Sequence, residues 1–466
     1  MMVKKRWRCV AMALSFCLTL SMMVGCRGDG GSSGSKPAES GGENAAFDLN
    51  GATVVLGSYN DLTPNETSAT YAQEIALKEE IEAKYHCKLE FYTTNDWHTW
   101  NSTISIMALS GEKVADAFCH TIDYVVPGWI NSELVAPLDA YFDLSQPMWN
   151  KQAMTPWVLD GKNYMVSTAL DGLGSCILFN KRLCAEYGIT DTSLYELQEK
   201  GEWTWNKLLE LAKACTKDTN NDGETDVWGF GAYGVAPVSA EAFIYANGSS
   251  TVKLDDKLHY TYNLDDPAAI EALEFCRMLA NDSGVCYKGE YEWGSWEKLW
   301  NKGQVAFYQT YSWVIAPYTV NLADDEFGML LIPKGPQASD YVNAQNVHDG
   351  WFIQPMVENK EAVAAILTDW LYPYDWKENT EPWMYFRNLV FDDQSLETIK
   401  KIDGRSVLAL GEPATWFRDN ILWNDFGVNN NTPARTFAET NKAPSQAAFD
   451  ELNTNFFEGL ESSAAE

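Results

Sequence analysis

From residue 53 onward, short apolar runs alternate with longer segments that carry an apolar stripe at helical spacing. The runs Thr53–Leu56, Lys88–Tyr92 and Ala115–Cys119 are predicted as strands. Between them, residues 68–85 and a second segment that stops before Gly111 are predicted as helices, because apolar side chains recur every three or four residues. This β-α-β-α-β order predicts an α/β fold with a parallel sheet covered by helices.

Polar and aromatic loops follow the carboxyl ends of these strands, where open α/β sheets bind their ligands. Trp97 and, further on, Thr121 and Asp123 are candidate ligand residues. Trp97 stands out because an aromatic side chain in a loop has little packing reason to be there. The loops concerned are Ser58–Pro64, Thr93–Trp100 and His120–Pro127.

Helices with recognisable starts continue the pattern downstream. Thr204 is a predicted N-cap, and Asp266-Pro267 combines a cap residue with proline at the first helical position. Residues 359–372 form one more predicted helix. No internal repeat recurs at a fixed period.

The N-terminus has the layout of a bacterial export signal. A basic start is followed by an apolar stretch of about 15 residues, which is short for a membrane span of about 20. The stretch ends at Gly25-Cys26, which resembles a lipobox, although Met23 replaces the usual leucine. Residues 1–26 are therefore expected to be a lipoprotein signal peptide with lipid attached at Cys26, and the Gly/Ser-rich residues 27–46 a flexible tether. A short membrane anchor and a plain signal peptide are the alternatives.

Charge excludes one class of partner. The chain has 34 Lys and Arg against 65 Asp and Glu. Removing the signal, with four basic residues and no acids, leaves 30 against 65, a formal charge of −35. Nucleic acid and anionic lipid surfaces are therefore not expected as partners.

The 19 Trp residues include many core positions, yet they also suit a site that stacks on sugar rings.

Cysteine and histidine suggest no metal or nucleophile chemistry. After the signal and Cys26, seven cysteines remain, and their odd number does not favour a disulfide framework. A Cys276–Cys286 pair is possible in principle, but buried free thiols are the preferred interpretation.

One acidic segment has the spacing of half a calcium loop. From position 218 to 226 it presents oxygen ligands at positions 1, 3, 5 and 9, with glycine at position 6. Gly229 stands where an EF-hand has its bidentate glutamate. A structural Ca²⁺ is the expectation, and a solvated acidic turn is the alternative. The candidate ligands are Asp218, Asn220, Asp222, Glu224 and Asp226.

A series of short motifs resembles the family of extracellular solute-binding proteins that includes the maltose-binding protein. Each motif is weak alone, but they occur in the family's order across residues 53–372, and the match fades after about residue 380. The motifs are Ser110–Asp116, Leu134–Asp139, Ile177–Lys181, Trp203–Leu209, Asn301–Phe307, Ser312-Trp313, Pro333–Pro336 and Gly350-Trp351.

This resemblance implies a two-lobed periplasmic-binding-protein-like fold, each lobe a mainly parallel sheet flanked by helices. Hinge strands join the lobes, and ligand is trapped by domain closure. The implied N-terminal lobe comprises residues 47–170 and 326–355, and the C-terminal lobe residues 171–325 and 356–466. The chain is expected to cross between lobes near Thr168–Asp171, near 323–327 and near 352–358.

The resemblance also implies site residues. Trp313 is where the family presents an aromatic side chain to the cleft, with core packing as the alternative. Tyr311 and Trp351 are equally compatible with a position in the cleft and with a position in the core. Asp171 is equally compatible with a carboxylate at the hinge that binds sugar hydroxyls and with an ordinary surface residue. Flat rings beside polar side chains suit carbohydrate recognition.

The expected function is therefore that of a monomeric, lipid-anchored, extracytoplasmic binding protein. It would capture a carbohydrate, an oligosaccharide above all, for the membrane permease of an ABC importer, with no enzymatic activity and no catalytic cofactor. A secreted glycoside hydrolase is one competitor, since acidic residues are abundant. The other competitor is a binding protein for a different solute, such as a quaternary amine held in an aromatic cage.

Overall fold

The structure is a computed structural model that describes residues 47–66, 71–121, 125, 128–154, 158–159, 161–168, 174–234, 236–254, 259–289, 294–311, 314–315, 322, 325–345, 349–371, 389–403, 406–408, 417, 420–422, 426 and 431–463. The strands are β1 Thr53–Gly57, β2 Lys88–Tyr92, β3 Ala117–Thr121, β4 Val158–Leu159, β5 Lys162–Asn163, β6 Ser175–Asn180, β7 Trp228–Ala232, β8 Val252–Leu254, β9 Tyr260–Tyr262, β10 Val305–Tyr311, β11 Phe327–Leu330, β12 Asn343–Gln345, β13 Asp349–Phe352 and β14 Ser406–Leu408. The helices are α1 Tyr71–Tyr85, α2 Trp97–Leu109, α3 Gly128–Asn131, α4 Lys151–Met154, α5 Lys181–Glu186, α6 Asp191–Glu199, α7 Trp205–Cys215, α8 Ala240–Ala246, α9 Pro267–Asn281, α10 Ser295–Asn301, α11 Lys360–Leu371, α12 Asp393–Asp403 and α13 Ala434–Ser463.

The first sheet has the order β13-β3-β1-β2. Strands β1, β2 and β3 are parallel, as the alternating pattern predicts, and β13 is antiparallel to β3. Strand β3 begins two residues later than predicted. Asp116 lies just before the strand and is hydrogen-bonded to β1 through both its backbone and its side chain. Its N–H donates to Val55 O (2.9 Å), and its Oδ2 accepts from Val55 N (2.8 Å).

The first sheet and its helices enclose one apolar core, here called the first lobe. Trp100, on the buried stripe of α2, is fully buried and its Nε1 donates to Cys119 O at 3.1 Å. A Cβ on Gly57 would lie 3.0 Å from the Trp100 ring and 3.1 Å from Ala115. The indole therefore packs directly on the end of β1, where a larger residue would displace it.

The second sheet has the order β11-β6-β10-β7 and a separate core, here called the second lobe. Strands β7 and β10 are parallel, whereas β6 is antiparallel to both of its neighbours. The predicted helix starts are confirmed nearby: Thr204 Oγ1 accepts from Lys207 N, and Asp266 Oδ1 accepts from Ala268 N with Pro267 at the first position.

Two segments lie in the other lobe from the one that the resemblance implies. Strand β11 falls within residues 326–355, yet its buried Phe327, Met329 and Leu330 pair with β6 in the second sheet. Helix α11 falls within residues 356–466, yet Ile366 and Leu367 belong to the first core. Apolar burial decides both positions. The chain therefore returns to the first lobe between β12 and β13, rather than near residues 323–327. Helix α11 then follows β13 within the first lobe, so the chain does not cross near residues 352–358.

The C-terminal helix α13, in the part of the chain without family motifs, joins the second lobe through side-chain amides. Gln446 Oε1 accepts from Tyr262 N (2.9 Å), and Asn453 both accepts from Tyr260 N (2.8 Å) and donates to Tyr260 O (3.0 Å). The two amides thus satisfy backbone groups of β9. Within the described ranges, no helix has the length and apolar character required to cross a membrane.

Asn180 connects three parts of the second lobe. Its Oδ1 caps α5 by accepting from Leu183 N at 3.0 Å, and its Nδ2 donates to Asp325 Oδ2 at 2.7 Å. Asp325 also accepts from Arg182 through Nε (2.6 Å) and Nη2 (2.9 Å). Burial would raise the pKa of Asp325, but the hydrogen bonds from Arg182 and Asn180 outweigh it and lower that pKa. The segment before β11 is therefore fixed to α5 as an ionised pair.

We predict that Asn180→Ala lowers the free energy of unfolding by about 2 kcal/mol, because it removes both the cap and the bond to Asp325. Asn180→Ser retains a capping oxygen and should cost about half as much, roughly 1 kcal/mol. Urea denaturation of the two variants provides the measurement. Equal midpoints for Ala and Ser would mean that the capping oxygen contributes no stability, and a Ser variant as stable as the natural protein would mean that the Asp325 contact contributes none.

Candidate functional site

The carboxyl ends of β1, β2 and β3 form one edge of the first sheet, here called the ligand edge. Because β13 is antiparallel to β3, its first residue, Asp349, lies opposite Thr121 at this edge. Tyr59, two residues after β1, donates its hydroxyl to Asp349 Oδ2 at 2.5 Å. Residues 290 positions apart in sequence thus form a partly exposed pair of hydroxyl and carboxylate at the ligand edge.

Thr121 is at this edge, as the sequence predicts, but it is buried. Its Oγ1 lies 3.3 Å from His120 Nδ1, and the His120 ring meets Trp129 edge-on at 5.9 Å. Burial lowers the pKa of His120 to about 3, so the imidazole is neutral at ordinary pH. The strand end therefore places buried, neutral polar groups against the strand that carries Asp349.

Trp97 is the first residue of α2, beyond the end of β2, and its side chain is partly exposed. Asp96 precedes it as the N-cap and accepts from Thr99 N at 2.7 Å. The cap fixes the start of the helix, and with it the position from which the indole projects. Topology thus brings Trp97 and Thr121 to the same edge as the Tyr59–Asp349 pair.

At the corresponding edge of the second sheet, Tyr311 ends β10 and is only 4% exposed. Its hydroxyl lies 3.3 Å from Ser239 Oγ, and its ring meets Tyr233 edge-on at 6.1 Å. This environment corresponds to the core alternative for Tyr311. Tyr233 is the partly exposed ring, and burial raises its pKa to about 12, so it remains a neutral phenol.

Trp351 lies in the first core, so its position also corresponds to the core alternative rather than to the cleft. It is 4% exposed, its N–H donates to Val166 O at 2.8 Å, and its O accepts from Val166 N at 3.1 Å. Trp313, Asp123 and Asp171 lie outside the described residues.

Sequence reasoning missed Tyr59, Asp349 and Tyr233. Tyr59 is in the first candidate loop and Asp349 precedes the Gly350-Trp351 motif, whereas Tyr233 follows β7, which was not among the predicted strands. The sequence signal that could have identified these three residues is their position next to a strand end, rather than their residue type.

The acidic loop at 218–226 is held by its own backbone. Asp218 Oδ2 accepts from Gly223 N, Asn220 Oδ1 from Asp222 N, and Asp222 Oδ1 from Glu224 N, each at 2.8 Å. Over the described ranges, no three His, Cys, Asp or Glu side chains are grouped as a metal ion requires. The oxygen donors have the chemistry that Ca²⁺ prefers, and an oxygen that accepts one N–H retains a further lone pair.

The seven cysteines of the folded body are buried free thiols, in agreement with the preferred interpretation. Burial raises the pKa of Cys176 and of Cys286 well above that of an exposed thiol. These thiols are therefore unreactive at neutral pH.

Comparison with solved structures relates this fold to substrate-binding proteins. An ABC substrate-binding protein from Listeria monocytogenes in complex with cycloalternan is 16% identical, with a TM-score of 0.64 over 86% of this chain and 99% of that one. The cyclic alpha-maltosyl-1,6-maltose binding protein from Arthrobacter globiformis is 15% identical, with a TM-score of 0.62 over 86% and 100%. UgpB from Mycobacterium tuberculosis in complex with glycerophosphocholine is 13% identical, with a TM-score of 0.64 over 86% and 99%.

These likenesses show the fold, which is the two-lobed periplasmic-binding-protein fold of mixed α/β lobes. A comparison with curated protein sequences returned no match. Residues 63–378 match the family model of the bacterial extracellular solute-binding proteins. Because that match covers more than half of the chain, the protein belongs to the bacterial extracellular solute-binding protein family.

Proposed function

We propose that the protein is the lipid-anchored substrate-binding component of an ABC importer, and that it binds an oligosaccharide between its two lobes without chemical turnover. Family membership supports solute binding outside the cytoplasm. The permease subunits of the importer are the proposed protein partner, and the binding protein is proposed to act as a monomer.

The Tyr59–Asp349 pair at the ligand edge is the observation that carries the sugar proposal. The phenol oxygen of Tyr59 and Asp349 Oδ2 each retain a lone pair that can accept from vicinal sugar hydroxyls, and Trp97 adds a flat ring at the same edge. Sugar sites combine such planar polar groups with aromatic faces. The relatives from Listeria monocytogenes and Arthrobacter globiformis, with their cycloalternan and cyclic alpha-maltosyl-1,6-maltose ligands, support an oligosaccharide of α-linked glucose.

Calorimetry with linear and cyclic α-glucans, and with glycerophosphocholine, tests the proposal. We expect saturable binding of a glucan and its unchanged recovery after incubation. Binding of glycerophosphocholine alone would replace the sugar by a zwitterionic solute like that of the Mycobacterium tuberculosis relative. Cleavage of the glucan would favour a glycoside hydrolase.

Membrane attachment through Cys26 is supported by the sequence on both sides of this residue. A basic start and an apolar stretch precede it, and a Gly/Ser-rich segment of 20 residues, 27–46, follows. Such a segment has a root-mean-square length of roughly 25 Å, which lets the folded body move close to a bilayer.

The first prediction here concerns the anchor. Cys26→Ala removes the thiol that would carry the lipid, so the variant should leave the membrane fraction on cell fractionation, whereas the natural protein should stay there through a high-salt wash. Intact mass measurement of the natural protein should show the acyl chains. A variant that remains in washed membranes would contradict attachment through Cys26.

The second prediction concerns calcium. We propose that Asp218, Asn220, Asp222, Glu224 and Asp226 bind a structural Ca²⁺, so EDTA should lower the melting temperature and added Ca²⁺ should restore it. Asp222→Ala should abolish that response, while Asp226→Ala should also loosen the loop because Asp226 holds Thr219. Unchanged melting with EDTA, together with no ion by native mass spectrometry, would leave a solvated acidic turn.

The third prediction separates the two tryptophans. Trp97→Ala should weaken ligand binding by about 1–3 kcal/mol, roughly five- to 150-fold, with an almost unchanged apo melting temperature. Trp351→Ala should instead cost about 3–5 kcal/mol of stability, because it empties part of the first core. Calorimetry and thermal melting on both variants give the answer, and the same pair of measurements assigns Trp313 to cleft or core. Normal binding by Trp97→Ala would remove Trp97 from the site.

A further inference from the structure

Exposed apolar side chains are concentrated at one edge of the first lobe. This edge, here called the tether edge, is where β1, β2 and β3 begin, at the opposite end of the strands from the ligand edge. Four of the exposed side chains lie there: Phe47 (41% exposed), Ile106 (68%), Leu109 (73%) and Met356 (44%). Over the described part of the chain, the exposed large hydrophobic side chains are Phe47, Ile106, Leu109, Val158, Met356 and Phe391.

Backbone contacts fix these positions at the tether edge. Phe47 is two residues before Leu49, whose N–H donates to Tyr85 O at the end of α1, just before β2. Helix α2 runs from the end of β2 back toward the start of β3, so its last turn, with Ile106 and Leu109, reaches the same edge.

Met356 follows β13, whose last residue, Phe352, pairs with Phe118 near the start of β3. Two residues earlier, the buried Gln354 accepts from Val114 N at 2.7 Å and donates to Glu112 O at 3.3 Å. Met356 therefore lies near the loop that follows α2.

The outer face of α2 also lacks charge. Between Asp96 and Glu112 the sequence contains no Asp, Glu, Lys or Arg, in a chain that is 21% charged. Exposed positions on the helix include Thr99 and Ser102, and the exposed apolar side chains are in its last turn. A net charge of −31 would repel an anionic surface, but this helix contributes nothing to that repulsion.

The chain outside the described residues indicates what covers this edge. Residues 1–46 precede Phe47, and in the proposed function a lipid at Cys26 is joined to Phe47 by 20 residues. A tether of roughly 25 Å would hold Phe47, the point at which the chain enters the tether edge, within about that distance of the lipid. Exposed Leu, Ile, Phe and Met side chains partition into the headgroup–acyl boundary without the help of charge.

We propose that the tether edge is a membrane-contact surface, in which Ile106 and Leu109 of α2 insert into the interface of the lipid leaflet that holds the anchor. The proposal rests on the proposed lipid anchor and adds an orientation to it. The ligand edge, at the other end of the same strands, then faces away from the lipid beneath the first lobe.

The test uses the acylated full-length protein in phosphatidylcholine vesicles. An environment-sensitive fluorophore is attached at Glu112→Cys, next to the last turn of α2, because the natural cysteines of the body are buried. The matched control carries it at Glu210→Cys, an exposed position on α7 in the second lobe. Spin-labelled lipid in the bilayer quenches a fluorophore that is close to the membrane, and flotation of the vesicles reports the anchor separately.

We expect quenching at position 112 to exceed quenching at position 210 by about threefold or more, since interfacial contact is a matter of 5–10 Å and the tether allows much greater distances. Ile106→Ser with Leu109→Ser should reduce quenching at position 112 to the control level, without changing flotation. Ser102→Ala, on the same helix, should leave quenching unchanged.

Equal quenching at the two positions, or none at position 112 with normal flotation, would overturn the membrane contact and leave the anchor intact. Unchanged quenching in the serine double variant would also overturn it, since the apolar side chains would then not be responsible. Loss of flotation in the unsubstituted protein would overturn the anchor and this proposal together. A concentration-dependent dimer of the unacylated body, abolished by the serine variant, would make a second copy the occupant and overturn the proposal.

Discussion

The antiparallel pairing of β13 with β3 closes the first lobe, and the rest of the architecture depends on it. Trp351 pairs with Cys119 in the sheet and exchanges two backbone hydrogen bonds with Val166. Neither partner is close to Trp351 in sequence, so residues 175–345 of the second lobe are inserted between two parts of the first, and α12 and α13 of the second lobe follow α11. Each lobe thereby keeps its own apolar core.

The same pairing sets the chemistry of the ligand edge. Because β13 enters against β3, its first residue, Asp349, reaches the carboxyl ends of the parallel strands and meets Tyr59 there. Burial keeps His120 neutral beside it. A carboxylate beside neutral hydroxyls and rings is suited to hydrogen bonding with an uncharged polar solute. The parallel strands then separate this edge from the tether edge, where the same strands begin.

In the proposed function, the two ends of one set of strands face two environments. The carboxyl ends present a hydroxyl, a carboxylate and an indole to a sugar, and the amino ends carry apolar side chains that a bilayer can accommodate. Helix α2 connects the two, since it begins at Trp97 on the ligand edge and finishes at Leu109 on the tether edge. Its uncharged outer face is an exception on a strongly acidic molecule, and the proposed anchor gives that exception a physical reason.

Local sequence determined the elements whose formation depends on neighbouring residues. The apolar spacing fixed β1, β2 and α1 closely, and the caps at Thr204 and Asp266 form as their side chains predict. The motif order was sufficient for the family, and the free state of the buried cysteines followed from their number and surroundings.

Tertiary structure alone decided everything that depends on distant pairing. The sequence could not reveal that β11 completes the second sheet, that α11 covers the first, or that Tyr59 meets Asp349 from 290 residues away. It left Tyr311 and Trp351 open between cleft and core, because an aromatic residue at a strand end has the same local pattern in either place. Only the packing of residues remote in sequence buries both rings, since side-chain exposure is a property of the assembled sheet and not of the segment that carries it.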